Sequence, residues 1–356
     1  MHLPGVFDLA GPRSDGLLVA AVHSRLVLLS TAGEQRAFAP QYSAPDGSES
    51  YIALSPGLRV ESAGCAFARD ELLALDVKTT PPGVARIGVD GSVSHLATVD
   101  GASTLSGITL DTVGDFGHRL LVVGPSGQGH TLVAAIDCKG TVTPLGVVAT
   151  SLEGGIAVAP HGFGSFGGQL IAPNEGNGTV YAVSPTGTLS VVAASGVAAG
   201  GDIGVESVGF VPAGGAAAAY VADRGTPGNP HPGTDSVLRL TGTALSQAGV
   251  RAGDVLVATE GGDTVVDIRC AAVCLATVVA NGPSPAHGEG RLLVVAAPNA
   301  MRAAPSAPSA AASAVATTTP STDHHTTVVT AAVIVGMLVI AVLTATATLV
   351  RLRRRV

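Results

Sequence analysis

Residues 166–189 read FGGQLIAPNEGNGTVYAVSPTGTL. An apolar run at Leu170–Ala172 ends in a polar, glycine-rich turn. A second run, Thr179–Ser184, ends in another turn at Thr186-Gly187, and a third begins at Leu189. Short apolar runs separated by glycine turns are β-hairpin chemistry. The same order recurs along the chain. Leu120–Val123 leads to Thr131–Asp137 and Lys139-Gly140. Leu72–Leu75 leads to Val84–Val89 and Asp90-Gly91. Leu17–Ala21 leads to Leu26–Ser30 and Ala32-Gly33, and Tyr220–Asp223 leads to Val237–Leu240 and Thr241-Gly242. The closing glycines Gly33, Gly91, Gly140, Gly187 and Gly242 follow one another at intervals of about 47 to 58 residues, near the period of propeller blades. The stretch 253–295 carries enough further strands for a sixth blade. The pattern predicts an all-β head over residues 1–297, a β-propeller of six blades.

Composition agrees with that architecture. Charged residues are 13% of the chain, aromatics 3%, and glycine contributes 47 of 356 residues. A low-charge chain rich in Gly, Val and Ala suits many short strands and tight turns. The net charge of −7 and the lack of a basic patch argue against nucleic acid as a partner. Few aromatics also disfavour a sugar-stacking platform. Lysine occurs only at Lys78 and Lys139, a skew that suggests a GC-rich, actinobacterial genome.

The C-terminal part reads differently. Residues 298–326 are dominated by Ala, Pro, Ser and Thr and show no hydrophobic period, so they are expected to form an extended linker. Residues 327–350 carry no charge. As a helix this segment is about 36 Å long, enough to cross a hydrocarbon core of about 30 Å. The tail 351–356 holds four arginines, whereas the other flank holds Asp323 and two histidines. Positive flanks stay inside, so the expected arrangement is a single-pass plasma-membrane protein, with a cytoplasmic C-terminus and the head outside at the cell surface. An exported head needs a leader, and the residues after Met1 lack a basic, apolar one. Either the true start lies upstream or the protein is tail-anchored with its head in the cytoplasm. The arginines favour the first.

A second repeated element is a glutamate, a glycine one to three residues later, and an apolar strand. It occurs at Glu61, Glu153 and Glu206, and the third blade has Leu105-Ser-Gly-Ile in the corresponding place. The segment from Glu153-Gly-Gly-Ile-Ala-Val to Thr186-Gly187 resembles a blade of the SMP-30/gluconolactonase and NHL-repeat propellers, over about residues 153–192. The resemblance implies inner strands that start at one mouth of a central channel. In the lactonases that mouth holds a divalent metal on carboxylates and an asparagine. Three glutamates at like strand starts would converge on the axis, and carboxylate oxygens suit Ca²⁺ or another divalent cation. Asn174 and Asp223, each at a strand end, complete the expected metal set with Glu61, Glu153 and Glu206. The alternative is that each glutamate accepts backbone N–H groups at a blade junction.

Other chemistry-bearing residues sit in loops. Residues 223–235 form a long Gly/Pro-rich loop with Arg224, His231 and Asp235, and long loops are often functional. Residues 286–290 carry His287 and Glu289, and His161 lies in a third loop. His161, His231 and His287 are candidate general bases, and Arg224, Asp235 and Glu289 candidate ligand-loop residues. Cys270 and Cys274 flank three residues and can be bridged if they face each other across a hairpin. Cys65 and Cys138 read as small buried residues. No nucleophile elbow, phosphate-binding loop or HExxH motif appears. Two functions are compatible with this. One is a membrane-anchored propeller that binds a small ligand, sugar or protein at its loop face. The other is a divalent-metal-dependent hydrolase of lactones or related esters.

Overall fold

The computed structural model describes residues 1–297 other than Asp46 and Ser50. The linker, the apolar segment 327–350 and the basic tail lie outside the described residues. Among the described residues no helix is long and apolar enough to cross a membrane.

Six antiparallel sheets form a propeller. Blade 1 is β1 (Val6–Ala10), β2 (Leu18–Val22), β3 (Arg25–Leu29) and β4 (Gln35–Phe38). Blade 2 is β5 (Ile52–Val60), β6 (Cys65–Asp76), β7 (Gly83–Ile87) and β8 (Val93–Thr98). Blade 3 is β9 (Gly107–Leu110), β10 (Leu120–Pro125), β11 (Thr131–Ile136) and β12 (Val142–Val148). Blade 4 is β13 (Ala157–Val158), β14 (Leu170–Asn174), β15 (Thr179–Val183) and β16 (Leu189–Ala194). Each recurrent pair of apolar runs in the sequence is the second and third strand of a blade. The turn glycines Gly33, Gly91, Gly140 and Gly187 join third strands to fourth with positive φ, as such turns require.

The last two blades are interlaced. After β17 (Val205–Phe210) the chain leaves its sheet and makes β18 (Ala216–Asp223), β19 (Ser236–Thr241) and a short helix, α1 (Gly242–Gln247). It then returns to pair β20 (Val255–Thr259) with β17, adds β21 (Val265–Cys270) and β22 (Cys274–Ala280), and ends with β23 (Gly288–Ala296) beside β18. The expectation of a sixth blade from residues 253–295 is therefore corrected: they supply most of the fifth blade and only one strand of the sixth, and the Tyr220 and Val237 strands do not share a sheet with Glu206. Gly242 opens a helix instead of closing a hairpin, because Thr241 caps it by accepting the Ala244 N–H at 3.1 Å.

Strands β1, β5, β9, β13, β17 and β23 follow one another around the axis and close the ring. The N-terminal residues lie along β19, where His2 bridges Ser236, so the start of the chain completes the edge of the last blade. The core is divided among the six blade-to-blade seams. Each holds its own cluster of mainly aliphatic residues, and the seam between blades 5 and 6 is the least populated. Two disulfides staple the blades. Cys270–Cys274 closes the β21–β22 hairpin, where blades 1 to 4 use glycine. Cys65–Cys138 ties blade 2 to the turn after β11 in blade 3. This corrects the reading of Cys65 and Cys138 as unlinked residues. Their separation of 73 residues hid the pairing, and neighbouring blade tips bring it about.

Candidate site at the channel mouth

One face of the ring gathers the starts of the inner strands and the turns between second and third strands. From the strand starts come Glu49 and Tyr51 before β5, Glu153 before β13, Glu206 on β17, and His287 and Glu289 around the start of β23. From the turns come Glu175 after β14, Arg224 after β18 and Glu260 after β20. Three of these turns share a device. Asn174, Asp223 and Thr259 end their second strands and hold their own turns with side-chain bonds: Asn174 Oδ1 accepts the Asn177 N–H at 2.9 Å, Asp223 Oδ2 the Thr234 N–H at 3.1 Å, and Thr259 Oγ1 the Thr264 N–H at 2.9 Å. Each next residue, Glu175, Arg224 or Glu260, belongs to the mouth.

At the centre, His287 Nε2 lies 2.8 Å from Glu260 and 3.5 Å from Glu289. One ligand atom from each of the three lies within 4.8 Å of the others, and all three residues are buried. Arg224 donates to Glu289 at 2.9 Å, lies 3.6 Å from Glu49, and stacks over Phe7 at 5.2 Å. Tyr51 donates its hydroxyl to Glu206 at 2.6 Å. Six glutamates thus share one mouth with one arginine and one histidine.

Like charges this close cannot all ionise freely. Burial, then hydrogen bonding and repulsion from Glu260, push Glu175 up to about 9. Burial and the Glu289 charge hold Glu206 well above the usual carboxylate range, against the opposing bond from Tyr51. Burial raises Glu49 to about 7, with Glu289 adding to it. Glu153 is raised by burial, then by Glu260 and Glu289. Burial opposes charge on His287, but its bonds to Glu260 and Glu289 outweigh that and raise it to about 10. Glu260 is lowered: the His287 and Glu175 bonds outweigh its own burial.

Further along β23, Arg291 closes the channel beneath the mouth. Its Nη2 donates to Thr109 Oγ1 at 2.7 Å, Ile108 O at 3.1 Å and Ile156 O at 3.3 Å, and so spans to blades 3 and 4. Its backbone N–H donates to Asp8 Oδ1 at 2.7 Å. Asp8 Oδ2 accepts the Ile52 N–H at 2.7 Å, which links blades 1, 2 and 6 under the acidic ring.

Of the residues singled out in the sequence, Glu153, Glu206, Arg224, His287 and Glu289 meet at the mouth. The others do not. Glu61 does not open an inner strand: it is exposed on a 3₁₀ turn between β5 and β6 and pairs with Arg59 at 2.7 Å. Asn174 uses its amide on Thr150 Oγ1 and Ser151 O, at 2.9 and 2.8 Å. Asp223 is fully buried and accepts the Thr234 hydroxyl and the His287 N–H, the latter at 2.8 Å. Asp235 accepts the Gly5 and Gly225 N–H groups at 2.8 and 3.1 Å. His161 is exposed, 3.6 Å from Asp115. His231 packs beside Gly261 with Nδ1 2.8 Å from Ser284 O, behind the mouth. Glu49, Tyr51 and Glu260 escaped the sequence reading. For Glu260 a signal was available in the repeated pattern of polar residue, charged residue and glycine at 174–176, 223–225 and 259–261, whereas Glu49 and Tyr51 lie outside it.

No protein-family model matches this chain, and no curated protein matches it in sequence. Among solved structures it is similar to a gluconolactonase from Xanthomonas campestris, with 11% identity and a TM-score of 0.46 over 81% of this chain and 79% of that one. It is similar to a streptogramin B lyase at 12% identity and a TM-score of 0.40, over 78% of this chain and 83% of that one. A catalytically inactive variant of virginiamycin B lyase from Staphylococcus aureus, solved with quinupristin, aligns at 13% identity and a TM-score of 0.37 over 58% of this chain. The chain spans 59% of that protein's length. At these identities the likeness concerns the fold alone.

Proposed function

We propose that the channel mouth is a divalent-cation centre through which the head binds a small, oxygen-rich ligand. The observation that carries this is the convergence of Glu260, His287 and Glu289, with ligand atoms within 4.8 Å of one another inside a ring of further glutamates. The donor set fits a divalent ion. Carboxylate oxygens with one imidazole suit Mn²⁺, Zn²⁺ or, with added oxygens from Glu153, Glu175 or Glu206, Ca²⁺. His287 pairs with Glu260 and Glu289, and a cation held by the three would displace the imidazole proton. Arg224 holds Glu289 in place, and Tyr51 holds Glu206. A bound cation would supply a Lewis acid that anchors carboxylate or carbonyl oxygens.

A second reading, hydrolysis of lactones or related esters, rests on Glu206. A carboxyl that burial holds well above the usual carboxylate range, inside the same mouth, can hand a proton to a leaving oxygen. We extend the first reading to location: the apolar segment 327–350 anchors the head to a bilayer, with the head outside. Two disulfides in the described residues support an oxidising surrounding. Carbonate extraction of membranes tests the anchor, since release of the full chain into the wash would remove it.

The first experiment is a titration of the full-length chain with Ca²⁺, Mn²⁺ and Zn²⁺, followed by thermal melting, beside a Glu260→Gln, Glu289→Gln double variant. Preferential binding to the native state raises Tm by mass action. A saturable rise that the variant lacks supports the centre, and no rise with any ion sinks it. Acid release from a lactone and ester panel by the loaded protein then separates hydrolysis from binding.

A further inference from the structure

Five blades have four strands, and the sixth has three, in the order β19-β18-β23. In the place of its fourth strand stand Met1–Leu3, and they cover only the start of β19. The Val237 N–H donates to Met1 O at 2.7 Å, the Met1 ammonium donates to Val237 O at 2.8 Å, and the Leu3 N–H donates to Asp235 O at 2.7 Å. Backbone groups along an antiparallel strand face its two neighbours in turn. Arg239, two residues beyond Val237, therefore points its N–H and C=O outward as Val237 does. Among the described residues no strand lies there to meet them. An open edge of this kind is a template for a further strand.

The edge comes with a cavity and a charge. A cavity of about 200 Å³ lies along it in the seam between blades 5 and 6. Ala219 and Val221 of β18, Leu238 and Leu240 of β19, and Val265 and Ala280 of blade 5 make its walls apolar. A cavity of about 150 Å³ takes a molecule the size of benzene, so this one has room for about two short aliphatic side chains. Arg239 faces the other side of the sheet, over the Tyr220 ring at 6.0 Å. It is exposed and has no ion pair among the described residues. A strand laid on this edge in line with Met1–Leu3 would set alternate side chains opposite Leu240 and Leu238, over the cavity. The side chain between them would stand opposite Arg239.

We propose that the outer edge of blade 6 docks an extended segment of another protein, with an apolar, an acidic and an apolar residue opposite Leu240, Arg239 and Leu238. The backbone of Arg239 supplies the ladder bonds, the cavity selects the apolar side chains, and the guanidinium selects the acid. The chain's own linker does not fit this pattern, since residues 298–322 contain no Asp or Glu. A second copy fits no better: two β19 edges paired about Arg239 would oppose guanidinium to guanidinium. The edge uses none of the mouth residues, which stand on the innermost strands and their turns.

Saturation-transfer NMR on the full-length chain tests it, with the blocked peptide acetyl-Thr-Val-Glu-Val-amide as the probe. The controls are acetyl-Thr-Val-Lys-Val-amide for charge and acetyl-Thr-Ser-Glu-Ser-amide for the cavity. A ligand of this size is expected to bind at about millimolar Kd. Arg239→Pro removes the outward N–H, a group that the head's own ladder does not use. Arg239→Glu reverses the charge and leaves the edge open. The expected result is transfer to the glutamate peptide that exceeds transfer to both controls, is lost in Arg239→Pro, and passes to the lysine peptide in Arg239→Glu. That exchange of preference covers the case in which Arg239→Pro misfolds. No transfer in the wild-type chain overturns the proposal, as does equal transfer to the three peptides or a preference that Arg239→Glu leaves unchanged. Sedimentation of the same samples reads the other occupant: a dimer that Arg239→Pro dissolves would give the edge to a second copy and overturn the proposal.

Discussion

At the residue scale, the mouth is built by strand parity. Successive side chains in a strand point to opposite sides. Where Asn174, Asp223 and Thr259 turn back to hold their loops, Glu175, Arg224 and Glu260 go to the mouth. Asn174 and Asp223 were therefore legible as important, but for the neighbouring role. Asp223 shows how much such an anchor carries. It is fully buried and joins Thr234 and His287 through three hydrogen bonds. Replacing it with alanine should cost about 3–5 kcal/mol, because it strands buried donors. Glu61→Gln, at an exposed ion pair, should cost under about 0.5 kcal/mol. Urea midpoints of the two variants, measured side by side, check the contrast; equal losses would contradict this assignment of roles.

At the element scale, the closing turns do more than reverse the chain. A side chain at Gly140 would strike the carbonyl of Leu96, and one at Gly187 the carbonyl of Leu145, each in the outer strand of the preceding blade. Both glycines also have positive φ. Gly127 has positive φ as well, but open space around it. Gly140→Ala should thus lose more than about 2 kcal/mol, and Gly127→Ala about 1 kcal/mol from backbone strain alone. Thermal melts of the two variants would show whether blade contact adds to conformation. The disulfides differ in reach in the same way. Cys65–Cys138 encloses a separation of 73 residues and Cys270–Cys274 one of 4. By chain entropy, replacing the first pair with serine should cost about 4 kcal/mol and the second about 2 kcal/mol. Denaturation of the two double variants tests the order, and a larger loss from the short loop would reverse it.

At the scale of the whole molecule, an acid-rich channel gives the cation-free protein an unusual response to pH. Glu49, Glu153, Glu175, Glu206, Asp8, Asp263 and Asp267 are all raised in the folded state, chiefly by burial, with Asp8 and Asp267 near about 6, Glu49 about 7 and Glu175 about 9. Between the ordinary carboxylate range and these values the folded chain holds more protons than the unfolded one. Stability then falls as pH rises through that window. His287, raised to about 10, stabilises below its ordinary 6.5 and loses that contribution as pH rises through its folded value, so it acts with the same sign. Glu260, lowered by its partners, acts with the opposite sign. Without divalent ions, Tm at pH 5 should exceed Tm at pH 8 by about 5 °C or more. A saturating cation should shrink that gap, and a Tm that rises from pH 5 to pH 8 would contradict the electrostatic account.

Local patterning by itself determined the class of fold, the strand pairs within blades, the turn glycines and two of the inner-strand glutamates, Glu153 and Glu206. Period-two alternation and turn chemistry act over a few residues, so a linear reading sees them. It also determined that residues 327–350 are apolar enough to span a bilayer. Only tertiary structure decided which strand completes which blade, that Cys65 meets Cys138, and that Tyr51 in blade 2 faces Glu206 in blade 5 across the channel. The physical reason is ring closure. It brings inner strands from across the chain to one axis, where burial and mutual charge set the chemistry, and neither quantity is written in any short stretch of sequence.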